Sequence, residues 1–306
     1  MKVLITGATG FIGQHVLRQL LDSGNVVRAL IRPETYRRQE RMRALAETNA
    51  VETVVGTLAD VDTLVRAVDG MDVVYHLAGL GGVNRPHDEY VSVNVRGTQN
   101  LLQASALAGV HRFVYTSTTG VYRLGLGRGQ RRDWPLSENA PLAGRGGYVV
   151  TKIEAEQLIQ DYQRTHGLQF VILRICLVYG SDAPYLGRII TQIAASPVAL
   201  TPLGERRSVQ LVHIHDAARA VILAGTRAEA ANEIFNIAGE EPVTWRYIAQ
   251  TYHGDDFDRP FLRRRQCGGA TPPPTHFDTT KARELLGFSP KVDVFEELPA
   301  VIRGLN

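Results

Sequence analysis

The stretch Thr6-Gly7-Ala8-Thr9-Gly10-Phe11-Ile12-Gly13 decides the fold of this 306-residue chain. Gly7 and Gly10 follow a short apolar run and precede Phe11–Ser23, which has the apolar periodicity of a helix and contains Gly13 in its first turn. In such a strand–turn–helix unit the first glycine permits a tight turn, the second lets the backbone approach a pyrophosphate, and the third lets the helix pack closely. The helix start offers unpaired backbone N–H groups to the phosphates. The stretch therefore predicts a dinucleotide-binding turn.

Apolar runs and helical patterns alternate through the first half of the chain. The predicted strands are Val3–Thr6, Val26–Ile31, Val51–Val55, Val73–Leu77, Phe113–Thr116 and Phe170–Ile175. The predicted helices are Phe11–Ser23, Val61–Val68, Glu89–Ala108 and Gly147–Thr165. This alternation is typical of parallel βαβ units with right-handed crossovers. We therefore predict an α/β fold with a doubly wound parallel Rossmann-type sheet.

The pattern weakens after Gly180, where prolines interrupt the chain. The strands predicted there are Leu211–Ile214 and Ile234–Ile237, and the helices are Ala217–Ala224 and Trp245–Tyr252. We interpret residues 1–179 as a nucleotide-binding domain and residues 180–306 as a smaller substrate-binding lobe. Strands near 209–238 are expected to return to the main sheet.

Composition narrows the functional classes. With 44% apolar residues and a formal charge of +3, the chain is an ordinary globular sequence. It has no apolar run of about 18 residues and no signal-peptide pattern, so we expect a cytoplasmic protein without a membrane span. Clusters such as Arg263-Arg264-Arg265 lack interleaved aromatics, so the expected partner is a small-molecule substrate and not nucleic acid.

No metal site is predicted. The two cysteines, Cys176 and Cys267, have neither a disulfide framework nor metal-ligand spacing. Strand alternation followed by a helix N-cap explains His213, His215 and Asp216 more simply than a metal does. We interpret His76, at a strand end, as structural.

The end of the second predicted strand bears on the cofactor. NAD enzymes place a carboxylate there for the ribose 2′-hydroxyl, whereas NADP enzymes use arginine. Here Ile31 and Arg32 occupy the tip, and a guanidinium pairs with a 2′-phosphate through two hydrogen bonds. Arg28, which alternates with the inward residues of the strand, is a further candidate for this contact. We therefore predict NADP as the cofactor, with NAD as the alternative.

A tyrosine and a lysine stand four residues apart in the last predicted long helix. Tyr148 and Lys152 therefore share one helix face. A free tyrosine has a pKa of about 10, and a neighbouring ammonium favours the phenolate. The hydroxyl cluster Thr116-Ser117-Thr118-Thr119 ends a strand at the carboxyl edge, where open α/β sheets bind ligands. The pair is a candidate general acid/base.

Seven motifs, in the expected order, resemble the extended short-chain dehydrogenase/reductase family, which includes epimerase/dehydratase-like members. They are TGATGFIG from Thr6, HLAG from His76, NVRGTQNLL from Asn94, VYTSTTGVY from Val114, YVVTK from Tyr148, LRICLVYG from Leu173 and VHIHDAARA from Val212. The tip sequence VRALIRPE from Val27 resembles the dihydroflavonol-reductase branch. The likeness covers nearly the whole chain.

The resemblance implies roles for individual residues. Tyr148 would be the acid/base, and Lys152 would lower its pKa and hold the nicotinamide ribose. Thr118 would polarise the substrate oxygen, while Asn94 would hold a helix distortion and a proton-relay water. The implied cofactor contacts are Gly7, Thr9, Gly10, Phe11, Ile12, Gly13, Arg32, Leu58, Leu77, Ala78, Tyr148 and Lys152. A homodimer through the helices Glu89–Ala108 and Gly147–Thr165 is implied as well.

Several positions depart from the family pattern. Thr57 stands where an aspartate often holds the adenine, and Asp60 is not an obvious substitute. Cys176 lies just after the place where proline often follows arginine, and we interpret it as a core residue. Members that act on nucleotide sugars usually carry an arginine where this chain has Val209. The cations that could reach the same space are Arg188, Arg206 and Arg207.

Three functional hypotheses follow. The first is NADP-dependent reduction of a carbonyl, or oxidation of the alcohol, with Tyr148 passing the proton. The second is a nucleotide-sugar epimerase or dehydratase with tightly bound NAD(P), and the third is a non-catalytic NADP-binding member. We favour the first, because Arg32 and Val209 argue against the second. The complete tyrosine–lysine–threonine–asparagine set argues against the third.

Overall fold

A computed structural model describes residues 1–38, 50–81, 85–122, 135–181, 183, 187–188, 190, 208–254 and 276–304. The strands are β1 (Lys2–Thr6), β2 (Val26–Ile31), β3 (Glu52–Val55), β4 (Val73–His76), β5 (Arg112–Thr118), β6 (Gln169–Ile175), β7 (Leu177–Tyr179), β8 (Ser208–His213), β9 (Glu233–Ile237) and β10 (Pro242–Thr244). The α-helices are α1 (Phe11–Asp22), α2 (Pro33–Arg38), α3 (Val61–Val68), α4 (His87–Tyr90), α5 (Gly97–Leu107), α6 (Gly147–His166), α7 (Ile214–Thr226), α8 (Trp245–His253), α9 (Thr280–Glu284) and α10 (Val294–Arg303).

A seven-stranded sheet in the order β3-β2-β1-β4-β5-β6-β9 forms the centre of the fold. Each neighbouring pair of strands is parallel. The chain builds outward from β1 in both directions, and the carboxyl ends of β1 and β4 meet at this switch point, where doubly wound sheets bind ligands. The predicted Rossmann-type fold is confirmed.

A separate three-stranded sheet has the order β10-β8-β7. β8 runs parallel to β7 and antiparallel to β10. Of the strands expected near 209–238 to rejoin the main sheet, β9 pairs with β6, whereas β8 lies in this second sheet. β8 cannot pair with β6, because β5 and β9 occupy both edges of β6. The division of the chain into two domains at residue 179 stays a prediction.

Helices cover both faces of the main sheet, as side-chain alternation along the strands requires. One face packs on α1 and α7, and the other on α3, α5 and α6. The small sheet packs its own apolar face on α8 and α10. Among the described residues, no helix combines the length and apolarity that a membrane crossing needs.

The helix predicted over Glu89–Ala108 is interrupted. The chain instead forms α4, a π-helical turn over Val91–Arg96, and α5. Within the turn, the side chain of Asn94 is buried and hydrogen-bonded to a neighbouring loop. Sequence periodicity does not reveal such a turn, although the family resemblance implied a helix distortion at Asn94.

Candidate active site

The glycine loop after β1 has no room for side chains. Gly7 has φ +75°, and a Cβ on it would lie 2.6 Å from the backbone nitrogen of Ala78. A Cβ on Gly13 would lie 1.9 Å from the carbonyl oxygen of Gly7. Atoms cannot approach so closely, so only glycine lets β1, the loop and α1 close this tightly.

The start of α1 faces this loop without a side-chain cap. Gly10 is the N-cap residue, and its N–H donates to the carbonyl of Gly7 at 3.0 Å. Thr9, Phe11 and Ile12 are partly exposed beside it. Backbone N–H groups at a helix start, together with the positive end of the helix dipole, suit a pyrophosphate. The cradle thus fits a dinucleotide cofactor.

The two arginines of β2 and its tip have different surroundings. Arg32 is 64% exposed, with its guanidinium 3.3 Å from the Glu34 carboxylate. Arg28 instead donates to the carbonyls of Arg66, Ala67 and Asp69, at the end of α3. Its Nε also lies 2.9 Å from Glu52, an ion pair without hydrogen-bond geometry. The expectation that Arg28 assists at the ribose is therefore wrong, because its side chain caps α3.

The loop after β3 lies where the adenine is expected. Asp60 caps α3 by accepting from the backbone N–H of Thr63 at 3.1 Å. Hydrogen bonds from the Thr63 hydroxyl and backbone lower the pKa of this carboxyl, so Asp60 stays an ionised cap. Leu58 is held against Gly97 of α5, where a Cβ would lie 2.8 Å from the Leu58 Cβ. Thr57 Oγ1 accepts from the N–H of Ala59 at 3.3 Å.

Lys152 points from α6 across the carboxyl ends of the strands. Its ammonium donates to the carbonyl of Thr116 at 2.8 Å and lies 4.4 Å from the ring centroid of Tyr115. The distance to the ring centroid of Tyr148 is 5.9 Å. Burial lowers the pKa of Lys152 to about 8, against the opposing effect of the Glu156 carboxylate. The lysine is therefore a buried cation close to a half-buried phenol.

Thr118 ends β5 and caps the short 3₁₀ turn that follows. Its Oγ1 accepts from the N–H of Gly120 at 3.1 Å. Oγ1 is therefore oriented by the backbone, and its O–H hydrogen can point elsewhere. Thr118 is partly exposed, as Tyr148 is, whereas the neighbouring Thr119 is buried.

Asn94 joins the π-helical turn to the loop after β4. Its Oδ1 accepts from the N–H of Leu80 at 2.8 Å, and its Nδ2 donates to the carbonyl of Leu80 at 3.1 Å. Nδ2 also donates to Thr151 Oγ1 of α6 at 3.1 Å. A Cβ on Gly79 would lie 3.2 Å from Asn94 Oδ1 and 3.5 Å from Lys152 Nζ. Asn94 and Lys152 thus border the same loop.

A buried ion pair that the sequence analysis missed lies close to Lys152. Glu156, one helical turn after Lys152, accepts from the guanidinium of Arg174 through both carboxylate oxygens. It also accepts from the hydroxyl of Ser117. Arg174 Nη1 donates to the hydroxyl of Tyr122 at 2.8 Å. The spacing of Glu156 from Lys152 places both on one helix face, which is the one sequence signal that could have revealed it.

The remaining candidates have structural surroundings. Cys176 is buried, and burial raises the pKa of its thiol, in keeping with a core residue. His213 caps α7, and Asp216 accepts from the backbone N–H groups of Lys291 and Val292. Across the described ranges, no cluster of three or more His, Cys, Asp or Glu side chains could hold a metal ion.

Val209 of β8 is half-buried against the apolar cluster of the small sheet. Its surroundings are therefore those of a packing residue and not of a phosphate contact. Arg188 lies within the described residues, whereas Arg206 and Arg207 lie outside them.

Comparison with known proteins agrees with this fold. The model of the NAD dependent epimerase/dehydratase family matches residues 3–238. An uncharacterized UDP-glucose epimerase of Bacillus subtilis (strain 168) is 27% identical over an alignment of 320 positions, which covers 100% of this chain and 98% of that protein. A 4-hydroxy-2-methyl-3-oxo-4-farnesyl-3,4-dihydroquinoline-1-oxide ketoreductase of Stigmatella aurantiaca is 29% identical, over 80% of this chain and 70% of that protein.

A solved structure is similar along the whole chain. It is UDP-glucuronic acid 4-epimerase from Bacillus cereus in complex with NAD, with a TM-score of 0.76 and 26% identity. The alignment covers 100% of this chain and 98% of that one. The fold and the glycine cradle define a nicotinamide-dinucleotide enzyme of the extended short-chain dehydrogenase/reductase type. The chain belongs to the NAD-dependent epimerase/dehydratase family.

Proposed function

We propose that the chain is a nucleotide-sugar epimerase or dehydratase that uses a tightly bound nicotinamide cofactor. The observation that carries this proposal is the similarity to a UDP-glucose epimerase over the full length, including the small sheet and the C-terminal helices. The Bacillus cereus epimerase in complex with NAD supports NAD as the cofactor. The exposed guanidinium of Arg32 keeps NADP as the alternative. Nucleotide-sugar chemistry thus replaces carbonyl reduction as the preferred hypothesis.

In this proposal Tyr148 exchanges a proton with a sugar hydroxyl. When bound, the nicotinamide supplies hydride acceptance and return. The nearby ammonium of Lys152 favours the phenolate, because opposite charges at short range stabilise the ionised form. The phenolate takes the hydroxyl proton while the sugar carbon is oxidised, and gives it back when the carbonyl is reduced. The carbonyl of Thr116 and the ring of Tyr115 keep the ammonium in place.

Thr118 and Asn94 have distinct proposed tasks. Because Thr118 Oγ1 already accepts from Gly120, its O–H can donate to the reacting sugar oxygen. Asn94 uses both amide hydrogens on Leu80 and Thr151, so it fixes the loop after β4. A relay water at Asn94 would have to donate to Oδ1, which retains one acceptor position. A homodimer through residues 89–108 and 147–165 stays part of the proposal.

Carbonyl reduction remains a second candidate, and one observation favours it. A sugar nucleotide brings a diphosphate whose charges need cationic partners, because unpaired buried charge is very costly. The position expected to supply an arginine is Val209, packed among apolar side chains. The similarity to a ketoreductase agrees with this candidate.

Thermal shift separates the two candidates. The protein, loaded with cofactor, is heated with UDP-, TDP- or GDP-sugars and with each free nucleoside diphosphate. We expect one sugar nucleotide to give a saturable shift, equivalent to about 2.7 kcal/mol at a hundredfold excess over its Kd. If no sugar nucleotide shifts the Tm and added NADPH is consumed with ketone substrates, carbonyl reduction is the function.

A further inference from the structure

We propose that His76 is a positioning residue that connects the glycine loop to the π-helical turn bearing Asn94, in the active site whose function is proposed above. Sequence analysis assigned this histidine only a structural place at the end of β4. Its side chain stands in the middle of a continuous hydrogen-bonded chain, and both ends of that chain hold the loop Leu77–Leu80. That loop borders both the cofactor cradle and Lys152.

The chain of hydrogen bonds is short throughout. It begins at the N–H of Ala78, which donates to Thr6 Oγ1 at 3.2 Å. Thr6 Oγ1 lies 2.7 Å from Nδ1 of His76, and Nε2 of the same ring lies 2.9 Å from Thr98 Oγ1. Thr98 Oγ1 donates to the carbonyl of Asn94 at 2.6 Å. Four elements, β1, β4, the π-helical turn and α5, meet in this chain.

The positions of the hydrogens follow from counting donors. The single hydroxyl hydrogen of Thr98 goes to the carbonyl of Asn94, so Thr98 must accept from His76. His76 therefore carries its proton on Nε2, and its bare Nδ1 accepts from the hydroxyl of Thr6. Thr6 Oγ1 in turn accepts from Ala78. Each hydrogen is used once in a consistent direction, and the neutral Nε2–H form of the ring satisfies every bond of the chain.

The surroundings keep the ring neutral. Thr6, His76 and Thr98 are all fully buried, so water does not compete for these bonds. Burial, assisted by the charge of Lys152, lowers the pKa of His76 to about 3. In an environment without water, a lost partner leaves a polar group unsatisfied, and this makes the chain stiff.

The loop after β4 is clamped at two points, one at each end of the chain. Ala78 is held by Thr6, immediately before Gly7, and Leu80 is held by Asn94. Gly79, between the two clamps, has little free space beside Asn94 and Lys152. Nδ1 of His76 supports the first clamp through Thr6, and Nε2 supports the second through Thr98. His76 is the group that holds both clamps at once.

Two substitutions separate the two hydrogen bonds of His76. An asparagine oxygen reaches the position of Nδ1, so His76→Asn keeps the bond to Thr6 and loses the bond to Thr98. A glutamine amide reaches the position of Nε2, so His76→Gln keeps Thr98 and loses Thr6. His111→Asn and His111→Gln, at an exposed position, are matched controls. The readouts are the Kd for NAD⁺ and the hydrogen-exchange rates of the Ala78 and Leu80 amides.

Each variant should affect a different amide. We expect His76→Asn to raise the exchange rate of Leu80 about tenfold and to leave the Kd for NAD⁺ within about threefold. His76→Gln should raise the exchange rate of Ala78 and the Kd by about tenfold each. Equal effects of both variants on both amides, or no effect beyond the His111 controls, would overturn the proposal.

A second pair of variants covers the case in which the His76 variants do not fold. Thr98→Val and Thr6→Val each remove one hydroxyl at nearly constant volume and should reproduce the same separation of readouts. If they instead give indistinguishable Kd values and exchange rates, His76 does not support the two clamps through separate bonds. None of these measurements uses a sugar, so the result stands apart from any failure of the nucleotide-sugar proposal.

Discussion

The carboxyl edge of the seven-stranded sheet and the apolar face of the three-stranded sheet are built on different principles. At the large sheet, Gly7 and Gly13 leave bare backbone, and buried polar groups such as His76 and Asn94 are hydrogen-bonded. At the small sheet, Val209 and its neighbours pack as a hydrophobic core. The strands β7, β8 and β10 contain no arginine or lysine. In the proposed function, cofactor recognition thus depends on backbone shape, whereas any cation that pairs with a substrate diphosphate must lie outside these three strands.

The largest expected effect on cofactor affinity tests the bare-backbone side of this comparison. Gly13→Ala places a methyl group 1.9 Å from the Gly7 carbonyl, so the loop must open. We expect the Kd for NAD⁺ to rise by about a hundredfold or more, as a shift of roughly 3 kcal/mol implies. Gly24→Ala is the control, because Gly24 has φ +70° but open space around it. That variant should lose only about 1 kcal/mol of stability. Similar cofactor affinities for the two variants would contradict the comparison.

The next effect concerns the phenol at the same edge. Tyr148→Phe removes the hydroxyl and keeps the ring, so cofactor binding should persist while kcat falls by about 10²–10⁴. Tyr162→Phe, further along α6, is the matched control and should keep its activity. Steady-state kinetics and cofactor titration together measure both quantities. If Tyr148→Phe retains more than a few percent of activity on an identified substrate, another residue passes the proton.

A third measurement tests the burial of Lys152 through pH. Its pKa is about 8 in the folded protein and about 10.5 in the unfolded chain. Between these values the unfolded state binds more protons, so the stability of the wild type rises with pH. Relative to Lys152→Met, the gain from pH 7 to pH 11 should approach roughly 3 kcal/mol. Denaturant unfolding of both proteins at each pH gives the difference between their free energies of unfolding. A difference that does not change with pH would show that the ammonium is solvated.

The smallest effect is expected at the exposed tip of β2. Arg32→Ala should weaken NADP⁺ binding by about tenfold or less, because solvent and Glu34 screen the guanidinium. NAD⁺ binding should change little. Arg37→Ala, on the exposed helix α2, serves as the control for a lost surface charge. Equal affinity of the wild type for NAD⁺ and NADP⁺, measured by fluorescence titration, would remove Arg32 from cofactor selection.

The sequence by itself determined the features that depend on near neighbours along the chain. Glycine spacing after a strand predicted the turn at Gly7, strand–helix alternation predicted the sheet, and the four-residue spacing placed Tyr148 and Lys152 on one face of a helix. Each of these signals lies within about one supersecondary unit, where local geometry and periodicity are sufficient.

Only the tertiary structure decided the contacts between distant segments. Arg28, expected at the ribose, caps α3 instead, and β8 pairs in a second sheet. The contact of Asn94 with Leu80, the Glu156–Arg174 pair and the chain through His76 join residues from separate elements. No periodicity encodes such contacts. The polar side chains form them because the fold buries them together, where an unpaired group would be costly.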